Sequence, residues 1–173
     1  MTLAEANALI QDAVDDHETA QTWADLGCGK GLFTNALAGL LGSQSTIYAV
    51  ESQFNKMPSV AGISIEFIQA DFEKVALPIA GLDGILMANS IHYVKDKHRL
   101  LEKLVSLMKP NGRVVIVEYD TDKANPWVPY PIPFNSLARV FSQFGFSYIQ
   151  KLGERPSVFG PQKMYAAVVT RGW

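Results

Sequence analysis

The sequence holds a single cysteine, Cys28, so no disulfide can close within the chain, and a reducing compartment fits. No apolar run approaches the roughly 18 residues that a membrane-spanning helix needs. The opening stretch MTLAEANALIQDAVDDHE has neither the basic head nor the continuous apolar core of a secretory signal. Lysine and arginine number 15 against 17 acids, a net charge of −2, and no basic block stands out. The sequence thus carries no basic block to meet a phosphate backbone, a local patch formed by folding staying open, and no nucleic-acid partner is expected. No internal repeat, linker or low-complexity segment interrupts the chain. These absences leave a cytoplasmic protein without membrane association, read as one domain over residues 1–173. No metal site is expected.

What is present is a core and an alternation. Hydrophobic residues make up 48% of the chain, enough for a substantial interior. Thr2 and Glu5 form a capping-box pattern ahead of Leu9, Ile10, Ala13 and Val14, which predicts an amphipathic helix within residues 1–18. TWADLG reads as a buried first strand, and GLFTNALAGLLG as a helix with Phe33, Leu37, Leu40 and Leu41 on one side. TIYAVE is the second strand. SQFNKMPSVAG, with Pro58 and Gly62, has room for a stunted helix only. SIEFIQAD and LDGILMAN are strands three and four.

KDKHRLLEKLVSLM is a strong helix that Pro110, Asn111 and Gly112 are expected to end, and RVVIVEY is strand five. Residues 120–134 are rich in proline and aromatics and read as an ordered loop. Asn135 or Ser136 is placed to cap a helix carrying Leu137, Val140, Phe141 and Phe144, with Gly145 closing it. FSYIQKL and MYAAVVT suit a hairpin. The expected fold is therefore α/β: a mostly parallel, Rossmann-like sheet with helices on both faces and a C-terminal antiparallel β-hairpin.

The segment between strand one and its helix carries the strongest signal. Gly27, Gly29 and Gly31 alternate there, directly after Asp25 and around Cys28. In an open α/β sheet ligands bind outside the carboxyl ends of the strands, and glycines let a ligand approach the main chain. A dinucleotide fingerprint needs G-x-G-x-x-G, but here Leu32 stands at the third position and Gly31 comes one residue early. Asp25 would also repel a pyrophosphate, whereas a ligand carrying a sulfonium and an ammonium favours an acid nearby.

ADLGCGKG resembles motif I of the class I S-adenosylmethionine-dependent methyltransferases, and the resemblance runs from about Thr22 to the end of the chain. It implies S-adenosylmethionine as cofactor, with S-adenosylhomocysteine as product. Asp25, Gly27, Cys28, Gly29 and Gly31 would line its site. Glu51, closing strand two, would accept the ribose hydroxyls, with Ser52 beside it. Asp71 and Phe72, closing strand three, would meet the adenine, and Asn89, ending strand four, the methionine part. Solvated turns and helix caps are the plain alternatives for these acids. Lys30 reads as a solvated loop residue and Cys28 as a small filler.

Asn89-Ser90-Ile91-His92-Tyr93-Val94-Lys95-Asp96 resembles the N-x-x-H-x-V-x-D stretch of many small-molecule methyltransferases. It lacks the N/D-P-P-Y of the DNA amino methyltransferases. His92 is the candidate catalytic base, with a structural histidine as the alternative. Tyr93, Tyr119, Trp127 and Tyr130 are the candidate acceptor-pocket residues. Methyl transfer from a sulfonium needs alignment and water exclusion, and a base only where the acceptor must lose a proton. A small-molecule acceptor is expected. The competing readings are a non-catalytic S-adenosylmethionine-binding module acting with a partner protein and a nicotinamide-dependent oxidoreductase.

Overall fold

The computed structural model describes residues 1–157 and 160–171. Helix α1 (Leu3–Ile10) opens with the anticipated capping box. The Thr2 hydroxyl accepts the Glu5 amide at 3.3 Å, and the Glu5 carboxylate accepts the Thr2 amide at 2.7 Å. Strands β1 (Thr22–Leu26), β2 (Thr46–Glu51), β3 (Ser64–Gln69), β4 (Leu82–Ala88) and β5 (Met108–Tyr119) are mutually parallel where they pair. Strands β6 (Phe146–Pro156) and β7 (Lys163–Arg171) form the antiparallel hairpin, with β7 inserted between β5 and β6. The order across the sheet is β3-β2-β1-β4-β5-β7-β6. The chain crosses from one half of the sheet to the other between β1 and β4, the switch point where open sheets make a ligand crevice.

Side chains on successive strand residues face opposite ways, and each face is buried by a different set of helices. Ala24, Ile85, Val114 and Ile116 join helices α3 (Lys97–Leu107) and α4 (Leu137–Phe141) in one core. Trp23, Leu86, Val115 and Val117 join α1 and α2 (Leu32–Ala38) in the other. Trp23 lies flat over its neighbour Gly84, where a Cβ would come within 2.4 Å of the indole ring. A larger residue at 84 would therefore push the largest buried side chain off the sheet. No helix of the described residues is long and apolar enough to cross a membrane.

Three local expectations need correction. The stretch after β2, residues 52–63, has no helix. It runs as an irregular segment, with Phe54 edge-to-face on Phe67 at 5.4 Å and Pro58 against Gly31. A proline in mid-segment, with side chains bonded to strand and loop rather than to a helical neighbour, leaves no turn to propagate. Pro110, Asn111 and Gly112 do not end α3, which stops at Leu107. They sit inside the irregular start of β5, where the register with β4 shifts between Leu82 and Gly84. Neither Asn135 nor Ser136 caps α4 with its side chain. A single 3₁₀ turn (Phe134–Ser136) leads in, its first amide held by the Asp120 carboxylate at 2.9 Å. Gly145 does close this region, at φ 80°.

Candidate functional site

The carboxyl ends of β1, β2, β3 and β4 converge on a cavity of about 590 Å³. Its floor is the glycine loop, and the three glycines divide the work. Gly27 and Gly31 have φ of 80° and 81°, and a Cβ on either would clash, at 2.5 Å from the Ser90 Cβ and 2.7 Å from the Pro58 Cδ. Gly29, at φ 52°, would meet no atom within 4 Å and lines the cavity. Two glycines thus let the loop fold against its surroundings, and the third keeps its main chain open to a ligand.

Four of the loop's amides, those of Gly27, Cys28, Gly29 and Gly31, already have acceptors. Those of Gly27 and Cys28 donate to the Val50 carbonyl at 2.9 and 3.1 Å, and Gly31 to the Cys28 carbonyl at 2.9 Å. The Gly29 amide donates to Glu51 at 3.1 Å. A pyrophosphate cradle needs such amides free, and here the turn and a carboxylate hold them. The other Glu51 oxygen accepts the Ser52 amide and hydroxyl at 2.7 and 2.9 Å. The oxygen facing Gly29 keeps acceptor capacity for a further donor, and the one facing Ser52 regains it when the Ser52 hydroxyl turns away.

The structure brings Gly27, Cys28, Gly29, Glu51, Ser52, Asp71, Phe72 and Asn89 together around this cavity, with Tyr93 and Tyr119 also lining it. Asp71 pairs with Lys74 at 2.8 Å, and that contact draws its carboxyl below the usual range. Lys103 donates to the carbonyls of Phe72 and Val75, pinning the turn after β3. Arg155 of β6 reaches the cavity with Nη2 on Glu5 at 2.9 Å. With Asp71 matched by Lys74 and Arg155 by Glu5, the side-chain charge of the wall rests with Glu51 and Glu73, and it is negative. A cationic ligand is favoured there.

Three expected residues lie elsewhere. Gly31 is not on the cavity wall and abuts Pro58 instead. Asp25 does not face the cavity. It is 1% exposed behind the loop, where Thr34 of α2 donates to its Oδ2 at 2.6 Å and Oδ1 has no partner. Burial pushes its carboxyl up to about 7, with the Glu51 charge adding to the rise and the Thr34 bond opposing it. The acid read as a partner for a cation is instead an interior brace between β1 and α2, because the strand turns that side chain toward the helix. Tyr130 lines neither cavity at this end of the sheet. Its amide donates to the His92 carbonyl at 3.0 Å, and its carbonyl accepts Lys97 at 2.8 Å. Burial, then the charges of Asp25 and Glu51, push the Cys28 thiol up to about 12, which suits a filler and not a nucleophile.

Ser90 was not anticipated. Its hydroxyl donates to the Leu26 carbonyl at 2.6 Å, and its Cβ abuts Gly27, so it ties the end of β4 to the end of β1. Its neighbour Asn89 is held at φ 54°, an unusual backbone state for a residue other than glycine. Its amide is on the Val117 carbonyl at 2.8 Å, and its buried Oδ1 is unpartnered.

A second cavity, of about 440 Å³, adjoins the first. The two share Asn89, Tyr93 and Tyr119. The remaining wall is His92, Thr121, Asn125, Trp127, Val128 and Gln162. Asn125 shapes the loop: its Oδ1 accepts the Trp127 and Val128 amides at 2.9 and 3.0 Å. His92 is 2% exposed, not at an open mouth, and its Nδ1 lies 2.8 Å from a Glu118 oxygen. Glu118 itself is wholly buried and was not anticipated. An acid inside the apolar run of RVVIVEY was the signal that should have found it, since buried carboxylates need partners.

Residues 24–116, more than half of the chain, match the family model described as a methyltransferase domain. The ubiquinone/menaquinone biosynthesis C-methyltransferase of Vibrio campbellii is 25% identical over 139 residues, covering 75% of this chain and 49% of that protein. The enzyme of the same name from Pseudomonas fluorescens is 28% identical over 96 residues, covering 55% of this chain and 33% of its own. The chain thus spans about half the length, or less, of these relatives. Among solved structures, the 1,6-didemethyltoxoflavin-N1-methyltransferase of Burkholderia thailandensis superposes with a TM-score of 0.74 at 17% identity, over 99% of this chain and 78% of its own. A SAM-dependent methyltransferase from Aquifex aeolicus gives 0.66 at 17% identity, over 98% and 93%. The sheet order, the glycine loop at its switch point and the matched residues agree: this chain belongs to the methyltransferase-domain family.

Proposed function

We propose that the chain binds S-adenosylmethionine in the cavity above the glycine loop and passes its methyl group to a small molecule in the adjoining cavity. The observation that carries this reading is the pair of cavities meeting at Asn89, Tyr93 and Tyr119, the first of them with a negative wall. Glu51 and Ser52 lie where strand-two acids of such sheets meet a ribose, and Gly29 gives the ligand access to main chain. Asp71 and Phe72 would border the adenine. The sulfonium would face the shared residues, where the acceptor can approach from the second cavity.

The chemistry is a displacement in line. The carbon–sulfur bond breaks with its electron pair passing to sulfur, the cation becomes a neutral thioether, and the acceptor atom bonds the methyl carbon. The chain's contribution is alignment and exclusion of water, and alignment of this kind supplies roughly 7–11 kcal/mol at best. Tyr93 and Tyr119 are the groups placed to hold the two reactants edge to edge. The relatives named above are called a C-methyltransferase and an N1-methyltransferase, so the acceptor atom has to be argued from this chain's own pocket. A cavity of about 440 Å³ suits a molecule of one or two rings.

The test is to incubate the protein with methyl-tritiated S-adenosylmethionine and a deproteinised small-molecule extract. Label should appear in low-mass products. Transfer of label only to added protein or nucleic acid, or to nothing, contradicts the proposal.

A further inference from the structure

The His92–Glu118 pair lies inside the wall of the second cavity, and its arrangement reaches beyond packing. Glu118 presents both oxygens to the His92 ring, Nδ1 standing 2.8 Å from Oε2 and 3.0 Å from Oε1. The backbone amides of His92 and Tyr119 also donate to that carboxylate, at 3.4 and 3.2 Å. A carboxylate only accepts, so Nδ1 carries a proton, and in the neutral ring Nε2 then keeps its lone pair. That Nε2 is buried and has no partner in the protein. An unpaired buried polar atom costs stability, and this one belongs to a residue that lines a cavity beside the expected methyl position.

The rest of the wall states what would pair with it. Tyr93, Tyr119 and Trp127 are flat rings, and Thr121, Asn125 and Gln162 are neutral polar groups. Among the described residues lining this cavity no lysine, arginine, aspartate or glutamate appears. Such a pocket takes a neutral, planar molecule and leaves no counterion for an ionised one.

We infer that His92 Nε2 is the general base of the reaction, oriented by Glu118, and that the acceptor is a neutral planar aromatic whose hydroxyl must lose its proton to be methylated. This rests on the methyl-transfer reading. As the phenolic oxygen bonds the methyl carbon, its O–H proton passes to Nε2. The carbon–sulfur electron pair stays on sulfur, and the resulting imidazolium is paired with the Glu118 carboxylate until water takes the proton. Glu118 touches no reactant and is a positioning residue.

The experiment uses the whole chain with tritiated S-adenosylmethionine and a panel of phenols of rising acidity: para-cresol, phenol, para-chlorophenol and para-nitrophenol. Label is counted in any product at one fixed pH. For His92→Gln the loss of kcat/KM should be about a hundredfold or more on para-cresol and only a few-fold on para-nitrophenol, whose more acidic hydroxyl needs less help from a base. Glu118→Gln should show the same trend with a smaller loss on para-cresol. An equal loss across the panel means a structural histidine and overturns the proposal, as does no loss. A wild-type protein that binds S-adenosylhomocysteine by calorimetry yet methylates none of the phenols overturns the acceptor class. Failure to bind S-adenosylhomocysteine at all defeats the parent reading instead.

Discussion

Replacing Asp25 by asparagine should flatten the pH dependence of stability between pH 5 and 8. Asp25 is fully enclosed, with one oxygen on Thr34 and the other on nothing. Its carboxyl rises from 3.8 to about 7 in the fold, chiefly through burial. A group whose folded pKa is raised favours the folded state below its unfolded pKa, and that contribution is lost as pH climbs through the folded pKa. The window runs from about 4 to about 7. At about 1.4 kcal/mol per pH unit, the wild-type chain should lose roughly 3 kcal/mol relative to Asp25→Asn between pH 5 and pH 8. Carboxylates with lowered values, such as Asp15 and Asp71, act at more acid pH and are common to both proteins, so the difference isolates Asp25. Urea denaturation at four pH values measures it. Removing the opposing hydrogen bond with Thr34→Val should extend the loss to higher pH. A wild-type-minus-mutant difference constant within about 0.5 kcal/mol, well below the linkage figure, would refute the claim that Asp25 is an interior acid.

Two further outcomes bear on the cofactor cavity. Glu51→Ala should weaken S-adenosylhomocysteine binding by a hundredfold or more, since two hydrogen bonds to a charged acceptor are worth about 1.5 kcal/mol each at the low end; calorimetry on the folded variant reads it, and unchanged affinity removes Glu51 from the ribose. Gly29→Val should abolish binding, because its side chain would project into the open space the ligand needs and resist φ 52°; the same titration on a variant with native circular dichroism decides it.

Much of this architecture is legible locally. Strand ends carry their own signals, and Glu51, Asp71 and Asn89 all fall where an apolar run meets a polar residue. The alternation of strand and helix and the glycine loop follow from residues close in sequence. What escaped depends on which way a side chain turns and on contacts between distant segments. Asp25 is one residue short of the strand's end, and period-two geometry sends it under α2 rather than into the cavity. Ser90 is informative only once Leu26 and Gly27 lie beside it. The second cavity draws Thr121 and Trp127 from one loop and Gln162 from the approach to β7, a meeting no spacing encodes. Tyr130, three residues from Trp127, looked equivalent by composition, but its backbone is tied to His92 and Lys97. The stretch after β2, read as having room for a stunted helix only, holds none, because Pro58 and the Phe54–Phe67 contact leave no turn to propagate.

The negative cavity above the glycine loop is built for S-adenosylmethionine and not for a dinucleotide. Calorimetric titration of one preparation with S-adenosylhomocysteine and, separately, with NAD tests it most directly. One site for S-adenosylhomocysteine is expected, with unfolding stability raised by about 2.7 kcal/mol at a hundredfold excess over the dissociation constant, and no response to NAD. Saturable binding of NAD with none of S-adenosylhomocysteine would contradict it.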